Sequence, residues 1–134
     1  MSDPVATLVD AMSRKDADAM RAAYAPSARL IAMTPNTFQV ADGAEAVGAK
    51  MAEWFASWEE DPEWSYLDIW RDDNGAVAVV EFERTSTYEG KPWVVRQSHT
   101  LVVGDEGIER HRMYCCGPRE GEPELARALA EAAS

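Results

Sequence analysis

Apolar and polar positions follow a helical period in the first 60 residues and a period of two after that. In 3–13 (DPVATLVDAMS), Val5, Leu8, Val9 and Met12 fall on one helical face; Asp3 is placed to cap the helix, with Pro4 at its first position. Residues 16–24 (DADAMRAAY) predict a second short helix capped by Asp16 or Asp18 and broken by Pro26. Residues 28–33 (ARLIAM) predict a short strand, and TPNTFQVADG reads as loop because Pro35, Asn36 and Gly43 are turn signals. The longest helix is expected over 43–60, with Val47, Met51, Trp54, Phe55 and Trp58 on one face and Pro62 ending it. Strands follow at 63–73, 76–88, 93–103 and 108–116, joined by turns at Asp73-Asn74-Gly75, Glu89-Gly90-Lys91-Pro92 and Gly104-Asp105-Glu106-Gly107. The tail from Gly117 ends in ELARALAEAA, a terminal helix or a frayed end. This order gives an α+β plan: a four-strand antiparallel meander with helices gathered on one face of a curved sheet.

Alternation then sorts side chains onto faces. In 76–88, Glu81 and Glu83 mark the exposed face, which turns Phe82, Arg84 and Ser86 inward. In 93–103, Trp93, Val95, Gln97, His99 and Leu101 share the inner set. In 108–116, Arg110 and Arg112 mark the outer set together with Ile108, which leaves His111, Met113 and Cys115 inside. A four-residue turn pairs Val103 with Ile108 and then sets His99 opposite position 112; a register shift or bulge decides whether the two imidazoles meet. Trp64, Tyr66 and Trp70 alternate onto one face of their strand.

Composition narrows the function. With 134 residues, one domain is expected. The net charge of −11 repels phosphate backbones and anionic lipid surfaces, so neither nucleic acid nor membrane is an expected partner. The two cysteines, Cys115 and Cys116, are adjacent, and a disulfide between strand neighbours is strained; a reducing cytoplasm is the simplest setting. No spacing suggests a metal site, and no cofactor is expected.

DADAMRAAYAPSARLI, ADGAEAV and the closing VVGDEGIERHRMY resemble, over residues 5–116, the NTF2-like superfamily and within it the SnoaL-like group. The resemblance implies a cone: a strongly curved antiparallel sheet closed by helices around a mostly apolar cavity, spanning 1–118, with 119–134 as a tail or short helix. It also implies a homodimer through the outer face of the sheet, where Trp64, Tyr66 and Trp70 would contribute. Ketosteroid isomerases in the superfamily carry a base, a tyrosine and an aspartic acid at positions that fall on Ala32, Leu8 and His99, so two of the three positions hold no polar group and the third holds a histidine. Epoxide hydrolases match at Arg84, but their two aspartates fall on Ser86 and Met113. Polyketide cyclases match at His99, and their aspartate falls on Cys116.

What remains in the expected cavity is its own set. His99, His111 and Arg84 are candidate catalytic groups, since imidazole titrates near neutral pH and a guanidinium stabilises an enolate. Gln97, Ser86, Phe82, Trp54, Trp58, Met113 and Cys115 are candidate ligand contacts. Each histidine also reads as a core histidine bonded to a neighbour, and Arg84 as half of an internal ion pair with Asp68 or Glu53. The expected function is a cofactor-independent isomerase, cyclase or dehydratase acting on an apolar oxygenated metabolite by histidine-mediated proton transfer. The alternative is a non-catalytic binding protein with the same cavity.

Overall fold

Asp3 caps the first helix as expected: its Oδ1 accepts from the Val5 and Ala6 amides at 3.1 and 3.4 Å. That helix is α1 (Pro4–Arg14), and it turns through Lys15, whose φ of 56° is left-handed, into α2 (Ala17–Ala22). The computed structural model describes residues 3–57, 63–122 and 124–133, with no side-chain description at 65–68, 88 and 126. The remaining elements are β1 (Tyr24–Thr34), β2 (Thr37–Asp42), α3 (Ala44–Phe55), β3 (Glu63–Arg71), β4 (Val77–Tyr88), β5 (Lys91–Gly104), β6 (Gly107–Cys115), β7 (Arg119–Glu120) and α4 (Leu125–Ala133).

The strands form one curved sheet ordered β2-β1-β6-β5-β4-β3, with β7 added beside β5. It is mixed rather than purely antiparallel, because β1 runs parallel to β6. The stretch read as loop after β1 is instead a hairpin: Asn36 adopts φ 65° at the turn, and Phe38 and Val40 pair with Met33 and Ile31. Gly107, at φ 127°, lets the start of β6 lie against β1; a Cβ there would stand 2.8 Å from the Ala23 carbonyl oxygen. Helices α1 to α3 fill the concave side, where Val5, Leu8, Met12, Met20, Met51 and Phe55 pack on Leu30, Val80, Phe82, Leu101, Ile108 and Met113.

Two bulges revise the sequence-based faces. Val103 pairs with Ile108 as expected, but a shift between Val102 and Val103 then sets Val102 opposite Arg110, Leu101 opposite His111 and His99 opposite Met113. The extra residue, Glu109, is exposed, and Ile108 is buried rather than outward. A second shift, between Tyr66 and Asp68, separates the tryptophans of β3: Trp64 packs on Phe55 and Phe82, whereas Trp70 is exposed. They do not form one outward aromatic set; the side chains of Tyr66 and Asp68 lie outside the described residues.

Glu83 is also corrected. Its parity is outward, yet it is 1% exposed, because α4 covers it. Its carboxylate accepts from the Glu124 and Leu125 amides at 3.2 and 3.0 Å and from Arg96 Nε at 2.8 Å. A buried acid thus caps the N-terminus of α4 and fixes that helix on the convex side of the sheet.

Candidate functional site

The polar groups of the cone lie along one line of neighbouring strands. Phe82 and Arg84 sit at alternate inward positions of β4, Gln97 and His99 on β5, His111, Met113 and Cys115 on β6. Phe82 stands opposite Gln97 and stacks on His99, with ring centres 5.3 Å apart. The bulge at Val102/Val103 restores parity between the strands, so both imidazoles point to the concave side and touch.

Their contacts form a continuous chain. Tyr24 Oη lies 2.8 Å from His111 Nδ1, His111 Nε2 lies 2.6 Å from His99 Nδ1, and His99 Nε2 lies 2.7 Å from Gln97 Oε1. Gln97 Nε2 then donates to Cys115 Sγ at 3.2 Å. Neither histidine reaches solvent, at 2% and 1% exposure. Burial pushes the His111 pKa down to about 3. His99 is pushed well below the usual histidine value by burial first and then by the charges of His111 and Arg84. Burial also pushes Tyr24 well above the usual phenol value. All three groups are therefore neutral near pH 7.

A cavity of about 290 Å³ opens where α3 ends, lined by Glu53, Trp54, Arg84, Gln97, Met113 and Cys115 among others. Arg84 is 5% exposed; its guanidinium carbon stands 5.3 Å from the Phe55 ring centre and 5.6 Å from that of Trp64, and Nη1 donates to the Trp54 carbonyl at 3.4 Å. Burial lowers its pKa to about 10, against the opposing influence of Cys115, so it is charged at neutral pH. A larger hollow of about 590 Å³ adjoins this cavity, sharing Thr34, Pro35, Gln97 and Cys115 and reaching outward to Arg96, Ser98, Tyr114 and Leu125 of α4. It is open toward solvent and holds no charged group as buried as Arg84.

Of the residues singled out from sequence, Trp54, Arg84, Gln97, Met113 and Cys115 line the smaller cavity. His99, His111 and Phe82 do not; all three are buried, His99 against Gln97, while Phe82 borders the larger hollow and His111 a third one beside Arg29 and Arg110. Ser86 is half-buried farther along β4 and is not among the lining residues. Trp58 lies outside the described residues. Glu53 lines the cavity and pairs with Lys50 at 3.2 Å. Tyr24 was missed: the sequence reads as the end of a helix there, although a buried tyrosine hydroxyl needs a partner, and that need was the available signal. Among the described residues, no group of three or more His, Cys, Asp or Glu is placed to hold a metal ion, and no helix is long and apolar enough to cross a membrane.

Solved structures share this architecture. A protein with a ketosteroid isomerase-like fold from Catenulispora acidiphila, in complex with trimethylamine, is 16% identical with a TM-score of 0.64, covering 85% of each chain. A putative ketosteroid isomerase from Kribbella flavida is 17% identical with a TM-score of 0.61, over 90% of this chain and 80% of that one. An epoxide hydrolase of the LEH-like type from M. tuberculosis is 17% identical with a TM-score of 0.61, over 84% of this chain and 79% of that one. At such identities the likeness is one of fold. No match to the chain is found among curated proteins. The SnoaL-like domain profile matches residues 5–111, most of the helices and all but the end of the last long strand, and the chain belongs to that family.

Proposed function

We propose that the cavity between α3 and β4–β6 binds a small, largely apolar molecule carrying an oxygen function, with Arg84 and Gln97 at the oxygen and Trp54 and Met113 against the apolar body. The observation that carries this reading is that two donor side chains, Arg84 and Gln97, meet Trp54 and Met113 at the wall of one cavity. A carboxylate, ketone or enolate in the cavity accepts hydrogen bonds from the guanidinium.

Binding without chemistry is the reading the geometry favours over histidine-mediated proton transfer. A general base must reach the proton it abstracts and titrate near the working pH. His99 and His111 are buried and are held far below that range. An isomerase-type reaction is the second reading, supported by the fold likeness to a putative ketosteroid isomerase. It would use Arg84 and Gln97 as oxyanion donors and take its base from Glu53, which lines the same cavity.

The test is a calorimetric comparison of indane, 1-indanone and indane-1-carboxylate. Wild type prefers the two oxygenated probes, and Arg84→Met abolishes the preference while indane binding persists. Equal affinity of all three for wild type would defeat the reading. A homodimer through the outer face belongs to the same proposal. Phe38, Met33 and Tyr114 form one exposed cross-strand row there. Phe38→Glu then converts a dimer in sedimentation equilibrium to a monomer, and a wild-type monomer at every concentration would contradict it. A reducing, cytoplasmic setting suits Cys115 and Cys116, neither of which is in a disulfide.

A further inference from the structure

We infer that the Tyr24 hydroxyl is the positioning group that sets the direction of the relay, and through it turns the Gln97 amide so that Gln97 joins Arg84 in presenting hydrogen-bond donors to an acceptor group of the ligand. This rests on the binding reading above and narrows its ligand class.

The argument is a count of protons. A neutral imidazole has one N–H and one lone pair, and here both nitrogens of both rings are engaged within the relay. Only two directions are then possible. In the first, Tyr24 Oη–H donates to His111 Nδ1, His111 Nε2–H to His99 Nδ1, and His99 Nε2–H to Gln97 Oε1. Gln97 Nε2 is left on the cavity side, donating one proton to Cys115 Sγ. In the second, every bond reverses. Gln97 must flip to donate to His99 Nε2, and His111 Nδ1–H donates to Tyr24 Oη.

The second direction leaves the Tyr24 hydroxyl proton with nowhere to go. Tyr24 is 4% exposed, and among the described residues His111 is its one hydrogen-bond partner. An unmet buried hydroxyl biases the relay toward the first direction by roughly tenfold to a hundredfold. A protonated histidine, which would break the count, is opposed by the burial of both rings.

In the first direction two polar side chains at the cavity end agree. Arg84 is a donor with no acceptor atom, and Gln97 shows its NH₂. Ketones, aldehydes, enolates and carboxylates fit between these two donors. Tyr24 itself stands at the first residue of β1, two imidazoles away from the ligand, and acts only by position.

The experiment is ¹⁵N NMR of the imidazoles in wild type and in Tyr24→Phe, which keeps the ring and its packing. In wild type both histidines are protonated at Nε2 with bare Nδ1. In Tyr24→Phe both directions leave His111 Nδ1 unmet, so the bias weakens, the Nδ1–H forms gain a detectable share on both rings together, and the preference for 1-indanone over indane falls. The double variant Tyr24→Phe/Gln97→Glu restores the Nε2–H forms, because a carboxylate only accepts; a purely structural tyrosine would show no such rescue. An Nδ1–H tautomer on either ring of wild type, or tautomers unmoved by Tyr24→Phe, overturns the inference. Wild type that shows the stated tautomers but binds no indanone supports the role of Tyr24 and defeats the binding reading alone.

Discussion

Acidification from about pH 7.5 to about pH 5 titrates two histidines that the fold holds neutral, and its cost follows from their burial. The chain has only two histidines, and the ordinary histidine pKa lies inside this window. Unfolded, each has a pKa of about 6.5. Folded, His111 is pushed down to about 3 and His99 well below the usual value, in each case mainly by burial. Because the folded values are depressed, the unfolded chain binds more protons below about pH 6.5, and stability is lost as pH falls from there toward the folded values. At about pH 5 the gap of roughly 1.5 units corresponds to about 2 kcal/mol for His111, and His99 adds to the loss in the same direction. That is a sizeable share of the 5–15 kcal/mol typical of a domain. Urea unfolding followed by tryptophan fluorescence at several pH values measures it directly. The expected result is a steady loss across the window, absent from a His99→Gln/His111→Gln variant that still folds. Unfolding free energies that stay level between about pH 7.5 and pH 5 would refute the burial argument.

Two further predictions concern charges in opposite settings. Arg84→Met removes a guanidinium whose pKa burial lowers to about 10, and weakens binding of indane-1-carboxylate at least tenfold in calorimetry; unchanged affinity would show that the arginine serves the fold rather than a ligand. Glu83→Ala strips the Glu124 and Leu125 amides and Arg96 of their buried acceptor, costs about 2 kcal/mol, and speeds hydrogen exchange in α4. Unchanged exchange from Leu125 to Ala133 would mean that α4 is held by its apolar contacts instead.

Side-chain parity was readable from the sequence wherever a strand runs without interruption. Arg84, Gln97 and His99 were placed inward by alternation alone, and they are inward. Parity failed at Ile108 and in the Trp64/Trp70 pair because a single inserted residue in each strand exchanges the faces beyond it, and that insertion depends on local hydrogen bonding that leaves no mark in composition. The β1–β2 hairpin was hidden because Pro35, Asn36 and Gly43 outweigh the short alternation of Phe38 and Val40. Glu83 was read as solvated since the element that buries it, α4, lies about forty residues on. For the site, the sequence supplied the polar residue types. It could not supply their depth: that Gln97 separates the imidazoles from the cavity follows from the packing of α3 and Tyr24 against the sheet.

The binding claim meets its most direct test in a crystal structure of the protein grown with 1-indanone or with whatever small molecule co-purifies. The account predicts a ligand in the cavity at the end of α3, its oxygen within hydrogen-bond distance of Arg84 and of Gln97 Nε2, and its apolar body against Trp54 and Met113. A cavity filled by ordered water alone at saturating ligand, or a ligand whose oxygen points away from Arg84, would contradict it.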